Sequence, residues 1–349
     1  MSKAKRGNFL EDFQVGSTLV HATPRTLTEA DNILNIALTG SRFALFSSDA
    51  FAQQCGLPRA PVDPLLAFHI VFGKTVPDIS LNAVANLGYA EGRFLRLVYP
   101  GDTISATSGI LGRKENSSGA NGVVWVRSLG MTQNGDPVLD YVRWVMVHKA
   151  DAATPMPGAA APALKAAVPA ADLVLPDGLD FSRYDYDLAG EPYTFEDYDI
   201  GECLDHIDGM AVEEAEHQIA TRLYQNTAKV HFNLHEQAAG RFGRRLIYGG
   251  VAISLARALS FNGLANAQLM LAINAGKHVN PLFAGDTVFA WSEILDKARL
   301  APNIGALRVR LVATKNHPCA NFPGRAESEK PHPAVILDFD YWVAIPART

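Results

Sequence analysis

The chain repeats itself, and that limits its fold more than any other feature. LEDFQVGSTLVH (10–21) returns as FEDYDIGECLDH (195–206), an offset of 185 residues (195 minus 10). Glu11/Glu196, Asp12/Asp197, Gly16/Gly201, Leu19/Leu204 and His21/His206 match identically. At the same offset LTEAD (27–31) meets VEEAE (212–216). PGDTI (100–104) then meets AGDTV (284–288) at 184, and LDYVRWVMV (139–147) meets LDFDYWVAI (337–345) at 198. The larger last offset fits one insertion in the second half, NHPCANFPGRAESEKPHP (316–333). Four matches in the same order make the chain two copies of one unit. Its 349 residues suit two domains of about 150 each.

Between the copies runs ADAATPMPGAAAPALKAAVPAADLVLPDG (150–178). Alanine gives it little to bury and proline interrupts any helix, so it reads as an extended linker. The expected division is 1–149, a linker over 150–189, and 190–349.

Each copy shows the same coarse order. A short strand (15–22; 200–207) leads to a short helix (28–39; 213–224), then to a longer apolar helix, DPLLAFHIVFGK (63–74) and GGVAISLARALSF (249–261). Runs with period-2 alternation follow, such as Val124/Val126 and Trp144/Met146, the signature of half-buried strands. One buried helix followed by a long antiparallel run implies a sheet wrapped around a central helix, an α+β arrangement.

Composition removes several function classes. A net charge of −5 argues against a nucleic-acid partner, which calls for a basic face. No apolar run approaches the roughly 20 residues of a membrane span, and MSKAKRGNFLEDF has no apolar stretch after its basic residues, unlike a secretory signal. Cys55, Cys203 and Cys319 are too few and scattered for a disulfide framework or zinc cluster, so a reducing cytoplasm is expected.

The order of elements resembles the hotdog fold, and two copies in one chain resemble a double hotdog. The chain is most similar to the MaoC-like, R-specific enoyl-CoA hydratases. Their signature is Gly-Asp, any residue, Asn-Pro, an aliphatic and His, with a helix opening in His-Gly about 17 residues later. QNTAKVH (225–231) falls on the first element and YGGVAISLA (248–256) on the second, with GRFGRRLIYGG (240–250) on the Phe-Gly-Arg run between them. EGRFLRLVYPGDTI (91–104) matches the Arg-Phe, Pro-Gly region. More narrowly, TLTEADNILNIALTGSRFALFSSDAFA, LLAFHIVFGKTVPDISLNAVANLGYAEGRF and LDYVRWVMVHK resemble the mesaconyl-CoA (2-methylfumaryl-CoA) hydratases. Those enzymes interconvert mesaconyl-CoA and β-methylmalyl-CoA by adding or removing water.

The resemblance implies an acyl-CoA substrate, no cofactor beyond the CoA the substrate carries, no metal, and His231 as the proton-transfer residue. Hydration of a thioester-conjugated double bond needs a base for water, an acid for the α-carbon and support for enolate charge on the thioester oxygen. Tyr248, Gly249 and Gly250 open the second central helix, whose free N–H groups suit the last task; equally, the glycines serve helix–sheet packing. Asn226 stands where the family has aspartate, and three readings are open. Asn226 orients His231 or the water, leaving His231 to transfer protons alone. A carboxylate from elsewhere substitutes, such as Asp63 (the first-half counterpart of Tyr248), Glu214 or Glu216. Or the substrate's own carboxylate takes part. His235, four residues after His231, lacks the glutamate and third ligand of a metal site.

The first-half counterparts of Asn226 and His231 are Ser41 and Phe46, neither of them a base, so one active site per chain is expected. Arg42, Arg93, Arg244 and Arg245 are the candidates for CoA phosphates or an acyl carboxylate. A homo-oligomer, most simply a dimer, is expected, since hotdog sheets pair side by side. Other readings are hydration of another branched or dicarboxylic enoyl-CoA, a hotdog acyl-CoA thioesterase, and a non-catalytic acyl-CoA-binding hotdog.

Overall fold

A computed structural model describes residues 3–156, 158, 161–320 and 331–349. Among these residues, ten antiparallel strands form one sheet. The first copy supplies β1 (Thr18–Thr26), β2 (Ala83–Phe94), β3 (Thr103–Glu115), β4 (Asn121–Met131) and β5 (Pro137–His148). The second supplies β6 (Cys203–Ala211), β7 (Leu269–His278), β8 (Thr287–Ala301), β9 (Ile304–Lys315) and β10 (Val335–Pro346). Their order across the sheet is β1-β3-β4-β5-β2-β7-β10-β9-β8-β6, so 1-3-4-5-2 recurs as 6-8-9-10-7. The copies join where β2 pairs with β7. Ala90 and Ala275 are Cα partners there, and 90 plus 185 is 275, so the local twofold relating the copies passes through that pair.

A central helix runs inside each half-sheet, Pro64–Thr75 and Gly249–Leu259. All twelve residues of the first are buried, and all but Gly249 of the second, as a helix apolar on every side requires. Pro64 at the first position and the Asp63 side chain, accepting from the Leu65 N–H at 2.8 Å, start the first helix. The helices meet at repeat-equivalent residues, His69 Nε2 and Ser254 Oγ, 2.8 Å apart. This is the α+β double hotdog expected.

The residues identical between copies are structural. Gly16 and Gly201 have φ 86° and 88°, left-handed turns that glycine adopts without Cβ strain. These turns delay each first strand to Thr18 and Cys203, three residues past the expected starts. Asp12 and Asp197 accept from the Phe9 and Thr194 N–H groups at 2.9 and 2.8 Å. His21 and His206 are buried and place Nε2 at 2.8 and 2.7 Å from Ser108 Oγ and Ser292 Oγ.

The Ala/Pro-rich segment does more than span. Val168 donates its N–H to Asn274 Oδ1 at 2.9 Å and accepts from Trp342 Nε1–H at 3.0 Å. Val168, Phe181, Tyr184 and Ala189 are buried with Trp342 in a cluster on the sheet face away from the central helices. The polar groups of Asn274 and Trp342 on that face require partners, a demand that alanine and proline content does not reveal. The insertion expected at 316–333 joins β9 to β10, and its residues 321–330 lie outside the described residues.

Candidate active site

The N-terminus of the second central helix gathers an unusual set of side chains. Tyr248 precedes the helix without a side-chain cap. Its own N–H donates to His217 Nε2 at 3.0 Å. The first copy does the same with different chemistry: the Asp63 N–H donates to Asn32 Oδ1 at 3.3 Å, and 32 plus 185 is 217. His217 therefore holds the helix start in place. With Nε2 accepting, the proton sits on Nδ1, which is buried without an acceptor.

His231 lies on a single helical turn, Lys229–Phe232. Its Nδ1–H donates to the Leu246 carbonyl at 2.8 Å, fixing the tautomer that leaves Nε2 with its lone pair. The ring packs 5.5 Å from the Tyr248 ring and 6.2 Å from His217. Burial pushes its pKa down to about 4, against a smaller upward pull from the Leu246 bond, so the ring is a neutral base near pH 7. Among the described residues Nε2 has no hydrogen-bond partner.

Asn226 is 1% exposed. Its Oδ1 accepts from the Ala228 N–H at 3.1 Å, which settles which end of the amide faces away. Nδ2 is buried and unpaired. Aspartate would satisfy the same turn through an oxygen, but only the amide leaves donors facing inward.

Gly249 and Gly250 are needed sterically. A Cβ on Gly249 would lie 2.2 Å from the His278 ring, and one on Gly250 2.3 Å from Tyr248 and 2.6 Å from His69. The packing role is thus filled, and the position at the helix start also leaves the Gly249 and Gly250 amides with no acceptor among the described residues. His278, with Nε2 3.2 Å from the Tyr89 hydroxyl, closes the site from β7. Burial holds its pKa down to about 4 and that of His69 to about 3.

The carboxylates proposed as substitutes sit elsewhere. Asp63 caps its own helix; burial raises its pKa, and the Leu65 bond and the Arg257 charge oppose this. Glu214 pairs with Arg245, and Glu216 and His235 are exposed. Phe46 occupies the first-copy position of His231, buried. Ser41 is half-buried there.

The four arginines divide. Arg245 is buried and tied to Gln218 and Glu214, clamping the helix that carries His217 to the segment before Tyr248. Arg93 bonds Asp140 at 3.2 Å through two nitrogens. A bulge at Glu91, φ 52°, shifts the β2–β5 register between Ala90 and Arg93. It turns Arg93 to the face away from the helices, a reversal of alternation no sequence pattern displays. Arg42 and Arg244 are exposed, with their guanidinium carbons 4.3 Å from the Phe261 ring and 3.8 Å from Phe283. Neither has a carboxylate partner among the described residues. Arg244 stands two residues before Leu246, beside the site.

Sequence reasoning missed His217, His278, Tyr89 and a buried arginine, Arg143. Only Arg143 carried a visible signal, a lone charge in the apolar run LDYVRWVMV. The arrangement offers a neutral imidazole base, an inward amide donor and free helix amides within one small volume.

A family described as Mesaconyl-CoA hydratase matches residues 1–328. The chain is 60% identical over 345 residues to the mesaconyl-CoA hydratase of Cereibacter sphaeroides, covering 99% of each. It is 58% identical over 349 residues to the beta-methylmalyl-CoA dehydratase of Chloroflexus aurantiacus, again covering 99% of each. Among solved structures, a MaoC domain dehydratase protein from Chloroflexus aurantiacus superposes with a TM-score of 0.97 at 58% identity, covering all of both chains.

Proposed function

The chain belongs to the mesaconyl-CoA hydratase family, and from that premise we propose that it adds water reversibly to the double bond of mesaconyl-CoA, giving β-methylmalyl-CoA. Full-length identity of 60% and 58% to a hydratase and a dehydratase, names for the two directions of one reaction, is the observation that carries this reading.

His231 Nε2 takes a proton from water as its oxygen bonds to the alkene carbon remote from the thioester. The electron pair of the double bond moves toward the thioester, and the amides at Gly249 and Gly250 hold the enolate oxygen. The imidazolium returns the proton to the α-carbon, so water is consumed whole and His231 ends neutral. The Asn226 amide donates to the water oxygen and fixes its approach. Arg244, free of carboxylates beside the site, meets a CoA phosphate. The chain needs no cofactor, works in the cytoplasm, and pairs as a homodimer. Val20 and Ile207, 79% and 80% exposed on the two edge strands β1 and β6, support that pairing; sedimentation at one subunit's mass would contradict it.

The test follows enoyl-thioester absorbance on adding mesaconyl-CoA. Loss of the signal without free thiol is expected, and activity should survive dialysis against a chelator. Thiol release would indicate a thioesterase instead, and an unchanged signal an acyl-CoA-binding protein without turnover. Asn226→Asp is expected to lower kcat at pH 7 by about tenfold, since the acid keeps the Ala228 bond but loses the inward donors. Wild-type rates in this variant would remove the amide from the mechanism.

A further inference from the structure

Arg143 is fully buried, yet no carboxylate pairs with it among the described residues. It points inward from β5, opposite Tyr89 in the β2–β5 register. One guanidinium nitrogen donates to Thr75 Oγ1 at 2.7 Å, Ser80 Oγ lies 3.4 and 3.5 Å away, and Nε is unpaired. The Phe72 ring lies 4.2 Å beneath it, and Tyr248 packs on Phe72 at 5.4 Å. The Tyr248 hydroxyl, on a buried ring, has no partner among the described residues, and the buried Tyr141 hydroxyl lies beside those of Ser128 and Thr75. A buried guanidinium served only by neutral hydroxyls is costly, and an anion is what compensates it.

The repeat-related place across the local twofold shows how it looks when a carboxyl group is built in. Repeat-equivalents of Phe72, Arg143 and Tyr248 are Arg257 (72 plus 185), Tyr341 (143 plus 198) and Asp63 (248 minus 185). There the guanidinium comes from the second central helix and the aromatic ring from β10, 5.8 Å apart, and the Asp63 carboxyl stands within electrostatic reach of Arg257. The cation and the ring have exchanged elements. Beside Arg143, Tyr248 of the second copy stands where the carboxyl group would be, and its main chain opens the helix that receives the thioester.

We propose that Arg143, with the Tyr141 and Tyr248 hydroxyls, seats the carboxylate of the acyl group and selects dicarboxylic over monocarboxylic acyl thioesters. The inference rests on the reading of the helix N-terminus as the thioester site and gives that site its substrate class. An acyl group entering from the Gly249 end then places its far carboxylate against Arg143.

Binding of succinyl-CoA and butyryl-CoA, unreactive probes of matching length, tests this without the reaction. The wild-type chain is expected to bind succinyl-CoA at least tenfold more tightly by calorimetry, and Arg143→Met to erase that preference. Truncating one partner of a buried charged hydrogen bond costs about 2–5 kcal/mol, or roughly 30-fold and upward in affinity. Tyr141→Phe removes a single hydroxyl beside those of Ser128 and Thr75, a change small enough to leave the chain folded. It should narrow the preference severalfold even if the Arg143 variant does not fold. Equal binding of both probes by the wild type, or an unchanged preference in Tyr141→Phe together with a folded Arg143→Met, overturns the proposal. A wild type that prefers succinyl-CoA but does not hydrate mesaconyl-CoA would instead sink the proposed reaction and leave the carboxylate seat standing.

Discussion

His231→Ala is expected to lower kcat by about 10²–10⁴-fold with little change in KM, the range lost when a positioned proton-transfer group is removed. Neighbouring imidazoles cannot stand in. His217 has Nε2 engaged by the Tyr248 N–H, and His278 has Nε2 at the Tyr89 hydroxyl. Among the described residues the ring's one protein bond is to the Leu246 carbonyl, and the residue is half-buried, so the variant should melt within a few degrees of the wild type. Steady-state rates with mesaconyl-CoA beside a thermal melt make the measurement. A folded variant within tenfold of wild-type kcat would show that another group transfers the proton.

The same residue illustrates what a sequence displays. The repeat revealed two copies, both central helices and the loss of the base at Phe46, because those depend on local pattern and self-comparison. The site around His231 was legible only in its contiguous part, 226–231 and 248–250. His217 and His278 enter from a short helix and from β7, and only the closed sheet brings them together. Arg93 is presented on a side its alternation does not display, because one left-handed residue, Glu91, shifts the strand's register. Arg143 has the opposite history. Its neighbours mark it as core, and its meaning appears only when the repeat-related pair Asp63 and Arg257 is set beside it.

Gly73→Ala should be destabilising even though helix propensity favours the change. Gly73 lies inside the first central helix, where alanine alone would gain about 1 kcal/mol. A Cβ there would stand 1.8 Å from the Tyr224 carbonyl oxygen and 3.2 Å from the Gln225 carbonyl carbon. The obstacle is backbone, so relief means moving the chain or the helix by more than 1 Å. Overpacking of this kind costs about 1–3 kcal/mol and sometimes more, which outweighs the propensity gain. The displaced segment is Tyr224–Gln225, with Gln225 already at φ 55°, and the next residue is Asn226. A shift there carries the inward amide and the His231 turn with it, and misplacement by 1 Å can cost about 10²-fold in rate. The expected result is a melting temperature lower by several degrees and kcat lower by about 10²-fold. Gly109→Ala on β3, where an added Cβ meets nothing within 4 Å, should leave both unchanged. A Gly73→Ala chain that melts higher than wild type would mean that the helix and the active-site loop do not touch, and the coupling between the first copy and the catalytic site would have to be sought elsewhere.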